Sequence, residues 1–205
     1  MTIKIYGRPN SLNVQKVLWL AHELELSFEH ILAGKEFGIV HTEAFLQLNP
    51  NGLIPVLQDE YTSIWESQII LRYLAEVYGK EKIWISHPQK RFQAEQWLDW
   101  YITSFLPQFS IIFYELVRTP HDKQRLDILP PIIETIEKQL LILEELLSKQ
   151  PYISGQQFGI ADIPLGLALH HWFNFDIQRK THPHIEAWIQ NIRERSSFKK
   201  VAYIL

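Results

Sequence analysis

The chain has 205 residues, 46% hydrophobic and 13% aromatic, which is enough for a substantial core and too apolar for a disordered polymer. Its 20 lysines and arginines against 23 aspartates and glutamates leave a net charge of −3, which offers no general pull on nucleic acid or an anionic membrane. There is no cysteine, so disulfides, zinc-thiolate centres and a catalytic thiol of the chain's own are excluded.

Thr2–Tyr6 (TIKIY) reads as a short β-branched and aromatic strand, closed by Gly7-Arg8-Pro9-Asn10. The opening MTIKIYGRPN lacks an apolar core of signal-peptide length, and no run reaches membrane-spanning length. A soluble cytoplasmic protein with no membrane or nucleic-acid partner is expected. Ser11 is placed to cap a helix whose buried face is Val14, Val17, Leu18 and Ala21. Ser27–Ala33 is a second strand, and the helix between the two predicts a parallel β-α-β crossover. Gly34 and Gly38 then bracket a less regular stretch, and Thr42–Leu48 is expected to form a short helix.

Asn49-Pro50-Asn51-Gly52 is a dense turn signal, followed by the apolar run Ile54-Pro55-Val56-Leu57. Proline gives no N–H to a ladder, so Pro55 implies either an edge strand or a cis bond in a tight bend. If that bend faces a cleft, the Ile54 backbone is free to pair with something other than protein. Gln58–Tyr61 reads as a hairpin turn between strands Ile54–Leu57 and Tyr61–Trp65. Glu66-Ser67 then opens a helix with Ile69, Ile70, Tyr73, Leu74 and Val77 as its expected inner face. The free N–H groups and positive dipole end of that helix favour a carboxylate or phosphate. A free backbone edge beside such a helix start suits a short acidic peptide.

Tyr78-Gly79-Lys80 ends the helix, and no strand pattern follows. Residues 89–118 are helical and aromatic-rich, with Pro107 expected to kink or split them. Pro120–Asp122 is a break, and 129–147 carry Leu129, Ile132, Ile133, Ile136, Leu140, Leu143 and Leu147 on one stripe. After the loop Pro151–Gly159, Ile160–Trp172 predicts an apolar helix through the core, and His184–Arg195 places Ile185, Trp188, Ile189 and Ile192 on one face. The fold class is α+β. Residues 1–79 form a β-α-β-α-β-β-α domain with a mixed four-stranded sheet, the thioredoxin-like arrangement; 80–88 are a linker, and 89–205 an all-helical domain. Ala33-Gly34-Lys35-Glu36 lacks the leading glycine and the hydroxyl of a phosphate loop. His170-His171 and His182-Pro183-His184 lack metal-motif spacing, so no metal is expected.

Residues 49–74, NPNGLIPVLQDEYTSIWESQIILRYL, closely resemble the glutathione-binding signature of cytosolic glutathione transferases. The length and element order of the whole chain fit that family, nearest to its serine-type, theta- and phi-like bacterial members. Phe158-Gly159-Ile160-Ala161-Asp162-Ile163 also resembles a family helix start in which a serine or threonine cap pairs with the aspartate. Here Gly159 stands in place of the capping hydroxyl, while Asp162 can still reach back to an N–H and Phe158 can still staple to Ile163.

The resemblance implies a detoxifying enzyme that binds glutathione as co-substrate and conjugates its thiolate to small hydrophobic electrophiles, as a homodimer. It implies Ser11, in NSLNVQKV, as the hydroxyl that stabilises the thiolate. Tyr6 is the rival donor, and a plain N-cap is the alternative role for Ser11. Asn13 either supports the serine or simply starts the helix. Glu66 would accept from the γ-glutamyl ammonium and Ser67 would hold its carboxylate, with Ile54 and Pro55 presenting backbone to the cysteinyl group. His41, or Lys35 in its place, would meet the glycyl carboxylate; Leu53 stands where relatives often carry a glutamine. The electrophile pocket is expected between the domains, with Tyr101, Phe105, Tyr114 and Arg118 as the chosen lining among several aromatics. The same scaffold also fits a glutathione-dependent dehalogenase, peroxidase or isomerase, or a non-catalytic glutathione- or ligand-binding module.

Overall fold

The computed structural model describes residues 3–80 and 82–202. Thr2 of the first predicted strand, Glu81 of the predicted linker and residues 203–205 of the expected helical half lie outside the described residues.

Four strands, Ile3–Tyr6 (β1), Phe28–Ile31 (β2), Val56–Gln58 (β3) and Ser63–Trp65 (β4), form one mixed sheet in the order β2-β1-β3-β4. β1 runs parallel to β2 with Ile3 opposite Phe28, and β3 is antiparallel to both β1 and β4. Along β1 the alternation is plain, with Ile3 and Ile5 buried and Lys4 and Tyr6 half-buried. β3 is an interior strand, which rules out the edge-strand reading of Pro55. The Ile54–Pro55 bond is cis, and the proline stands one residue before β3, where it occupies no ladder position.

The hairpin turn falls at Asp59–Thr62, one residue later than the turn signal predicts, because the Asp59 carboxylate organises it. One Asp59 oxygen accepts the N–H groups of Tyr61 (2.9 Å) and Thr62 (3.0 Å). The other accepts the hydroxyls of Tyr73 (2.5 Å) and Tyr78 (2.7 Å), which bolts the turn to the following helix.

Helices Leu12–Glu23 (α1), Glu43–Leu48 (α2) and Ser67–Tyr78 (α3) accompany the sheet. Helices Pro88–Trp100 (α4), Leu106–Phe113 (α5), Leu129–Leu147 (α6), Asp162–Trp172 (α7) and Pro183–Glu194 (α8) follow, with the short Ser196–Lys199 (α9) last. Residues 3–84 and 195–202 form one compact unit and 85–194 another. The end of the chain thus returns to the sheet unit instead of staying with the helical half. Arg195 and the Ser197 hydroxyl both bond the Glu23 carboxylate, and Phe198 packs edge-on against Trp19 at 4.8 Å.

That return explains why α1 is buried all round from Val14 to Ala21, beyond the stripe its periodicity predicts: it packs against β1, α3 and α9. Gln15 and Lys16 are enclosed with the apolar residues. On α3 the inner face is Ser67, Ile70, Leu71, Leu74 and Ala75, while the expected Ile69 and Val77 are exposed. Both sets keep helical spacing and share Ile70 and Leu74, so the helix is rotated by about one residue from the expected face.

In the helical unit, α4 and α5 are joined by a wide π-type turn at Tyr101–Phe105, with the Leu106 N–H bonded to the Tyr101 carbonyl. Pro107 lies in the first turn of α5. Its missing N–H and its ring prevent a regular continuation, so the long helix splits there as its sequence predicts. α6 buries Leu129, Ile136, Leu140, Leu143 and Leu147. Nearly all of α7 is buried, and its first residue, Asp162, is fully enclosed.

Asp162 accepts the N–H groups of Ile153 (2.8 Å), Ser154 (3.2 Å) and Gly159 (3.0 Å) and the indole N–H of Trp188 (3.0 Å). The reach back to Gly159 is the bond expected from the motif. The hydroxyl that position 159 lacks is supplied from elsewhere. Ser154 Oγ accepts the Ala161 N–H at 3.2 Å and lies 2.5 Å from where a Cβ on residue 159 would stand. Only glycine leaves room for it.

Two adjacent histidines give the helical unit a pH dependence. Burial, then Arg193, pulls His170 down to about 4; burial, then His170 and Arg118, does the same for His171. Both are neutral in the fold, so the unfolded chain binds protons first as pH falls below the ordinary histidine value. Their contribution is complete above about pH 6.5 and is lost progressively toward pH 4, at up to about 1.4 kcal/mol per pH unit for the enclosed His171 and less for the part-exposed His170, which solvent screens. Urea unfolding is expected to show a lower midpoint at pH 5 than at pH 7, with a shallower difference in a His171→Asn variant. An equal or higher midpoint at pH 5 would contradict the burial of neutral rings.

Candidate active site

Strand register brings three chain segments to one end of the sheet. Tyr6, the last residue of β1, pairs with Val56, which sets the cis Ile54–Pro55 bend beside the Gly7–Ser11 corner. Val56 also pairs with Trp65, which sets Glu66 on the other side of the same bend. The starts of α1 and α3 therefore flank the bend. Asn49 builds the approach to it: its Nδ2 donates to the Leu53 carbonyl (2.8 Å) and its Oδ1 accepts the Asn51 N–H (3.0 Å). Ile54 lies outside β3, and no backbone bond holds it among the described residues. The bend presents open backbone, as its proline implies.

Ser11 stands at the N-cap of α1 with extended backbone, yet its side chain makes no capping bond. Its carbonyl accepts the Gln15 N–H at 2.9 Å, so the helix is started by backbone alone. Tyr6, the rival donor, is committed elsewhere: its hydroxyl donates to Gln58 Oε1 at 3.1 Å, and its ring packs edge-on to Phe45.

Glu66 occupies the N-cap of α3 at φ 71°, ψ 111°, makes no side-chain cap bond and is exposed. A left-handed glutamate costs on the order of 1–3 kcal/mol, and strain of that kind collects at functional positions. Ser67 is buried, and its hydroxyl donates to Asn13 Oδ1 at 3.4 Å, which ties the start of α3 to the start of α1. The same Asn13 oxygen accepts from Lys16 Nζ at 2.9 Å. Lys16 is 1% exposed; burial pulls its ammonium down to about 7, against the opposing pull of the Glu66 carboxylate. An uncapped hydroxyl, open backbone, two helix starts with free N–H groups and an exposed carboxylate thus converge on one edge.

Known proteins fit this geometry. The family description "Glutathione S-transferase, N-terminal domain" matches residues 1–76, and "Glutathione S-transferase, C-terminal domain" matches residues 109–196. The chain is 38% identical to glutathione S-transferase GstB of Escherichia coli (strain K12) over 204 residues, covering 98% of each. The chain belongs to the glutathione S-transferase family. Among solved structures, a theta class glutathione S-transferase of Xanthomonas axonopodis pv. citri with glutathione bound superposes with a TM-score of 0.93. That match is 35% identical and covers 100% of this chain and 98% of the other. Glutathione transferase F2 of Populus trichocarpa gives 0.85 at 28% identity, over 97% and 96% of the two chains.

The other expected site residues of this transferase stand as follows. His41 is exposed, and its ring lies against Gly52. Gly52 is at φ 63°, where a Cβ would meet the Val40 carbonyl at 3.1 Å and His41 Nδ1 at 3.2 Å, so glycine fixes how the Asn49–Gly52 turn seats on that loop. Lys35, the alternative to His41, is exposed at φ 48° and opens a single 3-10 turn, Lys35–Phe37, after which Ile39 is also left-handed. Tyr101 and Phe105 do not line an open surface. They are 1% and 0% exposed and stack with Phe109 in a column that continues to Phe113. Their spacing along the helix is that of a core stripe, and core is what they form. Tyr114 is 64% exposed, and the Arg118 guanidinium lies 5.5 Å over the Phe113 ring.

A cavity of about 1130 Å³ lies within the helical unit, lined by Leu116, Val117, Leu129, Ile133, Phe175 and Lys180 among others, and none of the expected pocket residues borders it. Periodicity and motif also missed Lys16 and Gln68. Gln68, in the first turn of α3, is 4% exposed, and neither end of its amide has a partner among the described residues. Both lie off the apolar stripes that the sequence predicts for their helices, so periodicity gives no signal for their burial.

Proposed function

We propose that this transferase binds glutathione at the Ser11–Pro55–Glu66 edge, stabilises its thiolate with the Ser11 hydroxyl and conjugates it to small hydrophobic electrophiles. The observation that carries the reading is the Ser11 side chain, which stands at a helix start without serving as its cap. The γ-glutamyl carboxylate would sit on the Ser67 N–H at the positive end of α3, and the ammonium beside it on the Glu66 carboxylate. The Ile54 backbone would pair with the cysteinyl group, and His41 would meet the glycyl carboxylate.

The thiol proton leaves to water, and the Ser11 O–H donates to the sulfur anion that remains. Free thiolate is only a few per cent of a thiol with pKa about 8.5 at pH 7. Bringing that pKa to about 6.5 raises the reactive fraction roughly twenty-five-fold, for about 2.7 kcal/mol of differential interaction. The sulfur then attacks the electrophilic carbon and the carbon's leaving group departs with the bond pair. Tyr114 and Arg118 are the proposed electrophile contacts. A homodimer accords with the apolar surface that Tyr61, Ile69 and Val77 leave exposed, and the family reading implies a cytoplasmic setting.

The test is glutathione-dependent conjugation of an activated aryl chloride, followed by absorbance. The rate is expected to saturate in glutathione. Glu66→Ala is expected to raise the glutathione KM tenfold or more, since a charge-assisted hydrogen bond contributes about 1.5–3 kcal/mol. Failure to saturate, or an unchanged KM in the variant, would refute the binding mode.

A further inference from the structure

We propose that Lys16 is the positioning residue of the glutathione site, holding Asn13 and Ser67 in place and answering bound anionic charge by taking up a proton. The proposal rests on the reading of this edge as the glutathione site. Three observations and the proposed binding mode converge on it. Lys16 lies inside α1, one turn after Asn13, and is almost wholly enclosed. Its ammonium donates to Asn13 Oδ1, the oxygen that also accepts the Ser67 hydroxyl. Ser67 is the residue whose N–H would hold the γ-glutamyl carboxylate. The Glu66 carboxylate, which would hold the ammonium of the same ligand, acts on Lys16 electrostatically.

One bridging side chain therefore separates the lysine from the carboxylate end of the ligand, in surroundings where charge is weakly screened. Charged groups on or beside the elements packed against α1 are Lys4 on β1, Glu66, Arg72 and Glu76 on α3 or at its start, and Arg195, Lys199 and Lys200 on or next to α9. Of these, Glu66 opposes the effect of burial on Lys16. Near neutral pH the lysine is poised between its two forms. A ligand that brings net negative charge and draws on Glu66 with its own ammonium changes both sides of that balance. Net anionic charge favours the protonated form, which in turn strengthens the Lys16–Asn13 bond and so fixes the Ser67 hydroxyl.

The experiment is calorimetric binding of S-methylglutathione, which has no thiol to titrate, at pH 7 in buffers of different ionisation enthalpy. The wild-type protein is expected to take up a few tenths of a proton per ligand bound, as a group about half-protonated allows. Lys16→Met is expected to abolish the uptake and weaken binding about tenfold. Lys16→Arg, with a permanent charge, is expected to restore much of the affinity without any uptake. Ser67→Ala is expected to weaken binding while keeping uptake. Binding without uptake in the wild type, or uptake retained in Lys16→Met, overturns the proposal alone. Absence of binding by the wild type overturns the glutathione reading and the proposal with it. If Lys16→Met does not fold, the wild-type uptake and its loss in Lys16→Arg decide the matter.

Discussion

Ser11→Ala is expected to lower kcat/KM for conjugation at pH 7 by about twenty-five-fold or more, with little change in the glutathione KM. The size follows from the thiolate fraction: without the hydroxyl the bound thiol returns toward pKa about 8.5, and only a few per cent of it is reactive. The loss should shrink as pH is raised to about 9, where solution chemistry supplies the thiolate without help. A deletion that merely uncapped α1 would behave differently. It would lower stability and leave a pH-independent defect; the Ser11 side chain makes no capping bond to lose. Tyr6→Phe is the control, because its hydroxyl is already bonded to Gln58. It should keep most of the activity. Steady-state rates of the two variants from pH 6 to pH 9 make the comparison, and retained activity in Ser11→Ala with loss in Tyr6→Phe would reverse the assignment.

Asp162→Ala is expected to be the most destabilising single change in the helical unit, by about 3–5 kcal/mol. Removing the carboxylate strands three backbone N–H groups and the Trp188 indole N–H in a site closed to water. Each orphaned buried donor costs about 1–3 kcal/mol, and relaxation recovers only part of that sum. For a chain of this size about 1 kcal/mol moves the melting point by about 2–4 °C, so a fall of about 6–20 °C is expected in a thermal melt. Burial pushes the Asp162 carboxyl up, while the hydrogen bonds from Ser154, Gly159, Ile153 and Trp188 oppose that rise. Ser154→Ala should cost less, since it strands the Ala161 N–H and removes one side-chain partner of Asp162 but leaves that residue's other donors in place. A melt within about 2 °C of wild type for Asp162→Ala would show that the loop at 153–159 does not depend on that carboxylate.

Much of the site was legible because its parts are local. A turn, a proline bend and an acid-hydroxyl pair at a helix start each carry their meaning within a few residues, and strand register then gathers Ser11, Ile54, Pro55 and Glu66 at one edge. What could not be read depends on enclosure. Lys16 looks like a solvated residue beside the apolar stripe of α1, and it is buried because that helix is covered by elements from distant parts of the chain, β1, α3 and α9. On α3 the stripes through Ile69 and Val77 and through Leu71 and Ala75 fit the helical period equally well, so periodicity alone cannot say which one faces inward. Pro55 left two alternatives open, and the pairing of β3 on both sides selects between them. Tyr101 and Phe105 fail as pocket residues for the ordinary reason that aromatic residues at helical spacing pack on one another.

The most direct measurement is a titration of the thiol of glutathione bound to the protein, followed by thiolate absorbance, in wild type and in Ser11→Ala. The wild-type complex should titrate near pH 6.5, and the variant should bind glutathione with a thiol that titrates about two units higher, near the free value. A bound thiol whose titration is the same in both proteins would contradict the role of Ser11.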